Sequence, residues 1–181
     1  MLPGFLRCHD FHLYHPGVSP GRGASYEEAA RVCFDKRYQE PPIRFAIERG
    51  PIRSSAWVAW NQADSRLRRA WRNGEEFTEH AAYGVALAVL ETVYGIVAVG
   101  GTESKTGADF YVARRDAART DAEDWLRLEV AGMGPGDYRA LQTRLRKRVR
   151  QLRDGRSNLP GLVCVVGFEC QVTLIEDVVL P

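Results

Sequence analysis

Residues 106–132 read TGADFYVARRDAARTDAEDWLRLEVAG, with a short apolar run at each end and one acid set into each run. Ala108-Asp109-Phe110-Tyr111-Val112 and Trp125-Leu126-Arg127-Leu128-Glu129-Val130 are expected to be strands, in which residues two apart share a face. That period sets Asp109 beside Tyr111 and opposite Phe110 and Val112, and Glu129 beside Arg127 and opposite Leu128 and Val130. A carboxylate in an apolar strand costs free energy unless a partner compensates it. Two of them on neighbouring strands make either a buried ion-pair site or a cradle for a hard divalent cation.

Upstream, residues 75–93 carry Phe77, Ala81, Ala82, Val85, Ala86, Leu87, Val89, Leu90 and Val93. A helix this apolar around its circumference is expected to lie buried against a sheet. Glu75, Glu76 and Glu79 in its first turns suit the positive end of the helix dipole. Glu79, followed by Ala82-Tyr83-Ala86, is also placed to project a third carboxylate toward the sheet. A strand over 95–99 and the loop GGTESKTG (100–107) lead to Asp109. The loop is not a P-loop, because Lys105-Thr106 opens into a strand rather than a helix.

Downstream, residues 132–136 (GMGPG) turn the chain into an amphipathic helix over 137–154, with Tyr138, Leu141, Leu145, Val149 and Leu152 as its apolar stripe. Strands follow at 162–168 and 172–178. The first is nearly all apolar, as expected for the middle of a sheet covered on both faces.

The N-terminal residues 1–24, rich in glycine, proline and histidine, read as an irregular arm. A helix is expected to open at Ser25, capped by the Ser25/Glu28 pair, and to stop before Pro41-Pro42. Strands at 43–48 and 55–60 flank Gly50-Pro51 as an antiparallel pair, and a short basic helix spans 64–72. Cys8, His9, His12 and His15 have spacings that zinc ligands use, yet Pro16-Gly17 ends the helix they would need and no second ligand pair follows. An arm packed on the domain is the alternative. The expectation is one α/β domain with a central mixed β-sheet flanked by helices, residues 1–74 packing on a core of 75–181.

Composition bounds the function loosely. With 181 residues, 45% of them hydrophobic, the chain can bury a sizeable core. A net charge of +2 imposes no polyanionic partner. Four cysteines without a C-x-x-C pair, and no secretory signal in MLPGFLRCHD, suggest reduced thiols and a cytoplasmic protein. Glu91 interrupts the apolar run 81–101, which reads as a buried helix followed by a strand rather than a membrane span.

The order helix, strand, strand, strand, helix, strand, strand over residues 75–178, with acids on the first helix and on the second and third strands, resembles the core of the PD-(D/E)XK nuclease superfamily, the restriction-endonuclease-like fold. The resemblance rests on Glu79, Thr106-Gly107-Ala108-Asp109 and Glu129-Val130-Ala131. It implies that Glu79, Asp109 and Glu129, with the Val130 carbonyl, hold Mg2+ or Mn2+. Where the superfamily's E-x-K motif has its lysine, this chain has Ala131. Two lysines could supply the displaced cation. Lys147 shares a flank of the 137–154 helix with Arg144, Arg148 and Gln151, and Lys105 lies four residues before Asp109.

The same helix carries eight basic residues between 137 and 156 against two acids, which suits phosphate contacts, although a solvated helix surface explains the charge equally well. Arg139, Arg146, Arg150 and Arg153 form a second polar face. The implied function is a metal-dependent nuclease, with DNA favoured. Asp109, Glu129, Glu79 and Lys147 would be its catalytic groups, and Arg144, Lys147, Arg148, Gln151 and Lys105 its nucleic-acid contacts. The alternative, favoured by Ala131, is a catalytically inactive subunit of the same fold that binds nucleic acid, a protein or a second copy in a defence or toxin-type system.

Overall fold

Alternation along the central strands gives the sheet two apolar faces, and helices cover both. The computed structural model describes residues 4–38, 40–117 and 122–179. Its strands are β1 (Phe5–Leu6), β2 (Ile43–Arg49), β3 (Ile52–Val58), β4 (Ile96–Gly101), β5 (Phe110–Arg114), β6 (Leu126–Met133), β7 (Gly161–Gly167) and β8 (Val172–Val178). They form one mixed eight-stranded sheet in the order β1-β3-β2-β8-β7-β6-β5-β4. The α-helices are α1 (Phe11–Tyr14), α2 (Pro20–Asp35), α3 (Ser65–Ala70), α4 (Gly74–Tyr94) and α5 (Tyr138–Asp154).

Strands β4, β5 and β6 form an antiparallel meander, and α5 crosses over to bring β7 parallel to β6. Leu128, Val130, Leu162 and Cys164 pack with α2 and α4 on one face. Ala131, Met133, Val163 and Val165 pack on the other with Leu141, Val149 and Leu152 of α5. Every residue of β7 is buried, as a strand covered on both sides requires.

Helix α4 begins at the Asn73 cap, whose side chain accepts from the Glu75 N–H, and ends at Gly95 with φ 65°. That left-handed C-terminal position favours glycine. Glu91 lies buried in the last turns of α4, where it accepts from Arg7 at 2.6 Å and also from Arg115. Two guanidiniums thus satisfy the one acid of the apolar run. No helix among the described residues is long and apolar enough to cross a membrane.

Two expectations need correction. The helix placed at Ser25 starts at Pro20, because Ser19 caps it and proline at the first helical position is already preorganised. The N-terminal arm is not irregular throughout. Its Phe5–Leu6 pairs parallel to β3, and the chain around His15–Gly17 closes the outer edge of β4. There Gly17 N–H donates to the Ala98 carbonyl, and Ala98 N–H donates to His15 Nδ1. Burial pushes the His15 imidazole down to about 4, so it stays neutral and can accept that bond. Among the described residues no cluster of three His, Cys, Asp or Glu is arranged to hold a metal; Cys8 and His15 are buried in the arm, while His9 and His12 are exposed.

Helix α4 and the sheet approach closely at Gly132, where an added Cβ would stand 2.4 Å from the Thr78 carbonyl oxygen. Backbone cannot yield there without moving α4 off β6. Gly132→Ala is therefore expected to lower stability by about 1–3 kcal/mol, read as a lower midpoint in chemical denaturation with an unchanged slope.

Candidate functional site

Strand β5 is shorter than β6, and the site exists because of that mismatch. Phe110 pairs with Leu128, so β5 begins level with the middle of β6 and leaves Val130–Met133 without a strand on that side. A cleft of about 1320 Å³ opens there. Its walls are the first turns of α4, the loop 102–108, the open half of β6 and the Arg144–Gln151 stretch of α5.

Asp109 does not lie within a strand, as the alternation suggested, but in the bend immediately before β5. Its own N–H donates to the Leu128 carbonyl, and one carboxylate oxygen accepts from Val130 N–H at 2.8 Å. The other stands 3.1 Å from the Tyr83 hydroxyl. Glu129, 2% exposed, points to the α5 side, where its Oε1 accepts from Arg148 at 2.8 Å and from Gln151 Nε2 at 3.0 Å. The two carboxyls also share a hydrogen bond. Burial raises both above the ordinary carboxylate range. The Asp109 charge adds to the shift of Glu129, and Arg148 opposes it, leaving Glu129 at about 8.

Glu79 is exposed and one step removed from this pair. Its carboxylate accepts from the Tyr83 hydroxyl at 2.9 Å, the same hydroxyl that faces Asp109. A phenol has one proton, so it serves one of the two acids at a time. Burial, then the Asp109 and Glu79 charges, raise the Tyr83 phenol and keep it protonated. The three carboxylates thus lie along one hydrogen-bonded line, Glu79–Tyr83–Asp109–Glu129, and do not form a three-acid metal cluster.

The helix flank divides. Arg144, Arg148 and Gln151 line the cleft, and burial lowers the Arg144 guanidinium, as does Arg148, while Glu79 opposes them. Lys147 is exposed and absent from the cleft lining. At about 100° per residue, Lys147 is turned a further quarter-circle from Arg148, away from the apolar stripe that fixes the helix on the sheet. The cation that meets Glu129 is therefore Arg148, not Lys147. Ala131 lies on the same face of β6 as Glu129, buried in the cluster beneath α5. Lys105 lines the cleft from the loop, with φ 75°, its carbonyl accepting from Arg156 N–H. Arg139, Arg146, Arg150 and Arg153 are exposed on the outer face of α5.

Two residues that touch this site have little trace in the sequence. Tyr83 could have been found from its i+4 spacing to Glu79. Arg37, from the C-terminal end of α2, also lines the cleft, more than ninety residues before Glu129 in the chain and without local signal.

Buried Arg127 holds the walls together. It donates from Nε to the Leu159 carbonyl at 2.9 Å and from Nη1 to the Thr106 and Leu152 carbonyls at 2.7 and 3.0 Å. Arg127→Ala would leave three carbonyls without this donor and is expected to cost about 3 kcal/mol or more, with a melting temperature markedly below that of Lys105→Ala.

The raised acids also set a pH dependence. Between the ordinary glutamate value of 4.5 and about 8, the folded protein holds a proton on Glu129 that the unfolded chain releases. Stability therefore falls as pH rises through that window, and Asp109 contributes with the same sign. Melting curves of the metal-free protein should show this decline, and Glu129→Gln should flatten it.

No family model, no curated protein and no solved structure matches this chain.

Proposed function

We propose that the chain is a metal-dependent nuclease of PD-(D/E)XK type, acting on DNA in the cytoplasm. The observation that carries the reading is the pair of buried, hydrogen-bonded carboxyls at Asp109 and Glu129, opening on a cleft lined by Arg144, Arg148 and Gln151. The element order α4-β4-β5-β6-α5-β7, with an antiparallel meander and a parallel crossover strand, supports it. So do four free cysteines, which suit a reducing compartment.

Two adjoining acids that share a proton at neutral pH suit a hard divalent cation, which replaces that proton. Asp109 and Glu129 are the residues that would hold Mg2+ or Mn2+, with the Val130 carbonyl beside them. Glu79 acts through Tyr83 rather than as a direct ligand. Such a cation polarises a phosphate oxygen and generates a nucleophilic water at neutral pH.

The protein's own groups do the rest. Val130 N–H and the Tyr83 hydroxyl fix the Asp109 carboxylate from two directions. Arg148, bonded to Glu129 and to Gln151 Oε1, places a permanent positive charge where the missing lysine of residue 131 would have put one. A guanidinium matches the two oxygens of a phosphodiester and cannot lose its proton, so it neutralises charge but takes no part in proton transfer. Lys105 and Arg144 extend the cationic wall for neighbouring phosphates.

One observation favours the second reading, a non-catalytic binding subunit. Arg148 and Gln151 already satisfy Glu129 Oε1, as a structural ion pair would. Hydrolysis decides between them. With Mg2+ or Mn2+, the wild type should cleave DNA. Asp109→Ala and Glu129→Gln should lose at least about a hundredfold of that activity, Arg148→Ala a smaller factor, and Lys147→Ala little. Nucleic-acid binding without cleavage, unchanged by Asp109→Ala, would establish the binding subunit and end the nuclease reading.

A further inference from the structure

The side of the cleft away from α5 carries one cation that nothing in the ion-pair pattern explains. Arg37 is half-buried, and its Nη1 donates to the Cys33 carbonyl and approaches Cys33 Sγ, both at 3.2 Å. Its guanidinium lies 5.7 Å from the Phe77 ring centroid and 5.6 Å from that of Phe168. Among the described residues no carboxylate pairs with it within salt-bridge distance. Its Nη2 faces Gly134, where an added Cβ would stand 2.5 Å away. A side chain held by two contacts and two rings has little rotamer entropy left to lose, which favours binding an anion.

Gly134 lies five residues beyond Glu129, just past the end of β6. At about 3.3 Å per residue that is roughly 16 Å. Consecutive phosphates of one strand stand farther apart through space than their axial rise of about 3.4 Å, so a strand following that edge sets a phosphate about two or three nucleotides away at the far end of the span. The acids, Arg148 and Arg37 all line this cleft, Arg148 at Glu129 and Arg37 at Gly134 just past the end of β6.

We propose that Arg37 is a phosphate-binding residue that fixes the path and length of the substrate. The DNA strand follows the open edge of β6, with its reacting phosphate at Asp109 and Glu129 and a phosphate about two or three nucleotides away at Arg37. The proposal rests on the nuclease reading and adds to it a footprint, a direction along β6 and a minimum duplex arm. The N-terminal segment, outside the nuclease-like core, thereby takes part in substrate binding through α2.

The test is binding of labelled DNA duplexes to the full chain in Ca2+, measured by fluorescence anisotropy across a NaCl titration. Arg37→Ala should weaken binding roughly three- to tenfold and lower the slope of log affinity against log salt by about one. Arg37→Lys should keep the slope. Shortening the duplex arm below about three base pairs should weaken binding to the wild type and leave binding to Arg37→Ala little changed. If Arg37→Ala does not fold, Arg37→Gln retains donors toward Cys33 without the charge and carries the same comparison. A wild-type slope in the folded variants, with DNA still bound and cut, overturns the role of Arg37 and leaves the nuclease reading standing. A wild type that neither binds nor cuts DNA overturns both.

Discussion

Everything in the cleft depends on where α5 and the loop 102–108 lie, and one guanidinium determines both. Arg127 is fully buried and shares its β6 face with Glu129. Its three hydrogen bonds join the loop at Thr106, the last turn of α5 at Leu152, and the entry to β7 at Leu159. Two of those acceptors are otherwise hard to satisfy, since a helix's last carbonyls lack intrahelical donors and a loop carbonyl under a helix is shut off from water. The tie is reinforced where backbones touch. A Cβ at Gly155 would stand 2.0 Å from the Thr106 oxygen, and one at Gly107 would stand 2.6 Å from the Gln151 oxygen. With α5 held so closely, Arg148 and Gln151 reach Glu129 without adjustment.

Much of this architecture is legible in the chain. The strand at 172–178 and the hairpin about Gly50-Pro51 are found where alternation and turn chemistry put them, and α4 and α5 agree with their apolar patterns to within a residue or two. Those patterns report burial, which is a local property of each strand or helix face. The acids at 109 and 129 are legible for the same reason, because a charge in an apolar run stands out.

What alternation cannot report is where pairing stops. Asp109 falls outside β5 because the loop before it, held by Arg127 and by Thr102 Oγ1 donating to the Ala108 carbonyl, bends before the ladder begins. Angular position on a helix is equally coarse when read from sequence. Lys147 and Arg148 are neighbours in the chain, and only the exact roll of α5 on the sheet decides which of them meets Glu129. Arg37 is less legible still, since its place in the cleft follows from how α2 packs on α4 and the sheet.

Ala131 takes on a different meaning once α5 is in place. Its side chain lies in the buried cluster under α5, on the face that carries Glu129. Ala131 also borders the cleft, and its small side chain leaves the place beside Glu129 to a group from α5. Arg148 reaches the same carboxylate from above, with its side chain 28% exposed and its stem on the helix. The exchange is not neutral in chemistry. A lysine can lose its proton and an arginine cannot, so the cation that meets Glu129 from α5 carries a fixed charge.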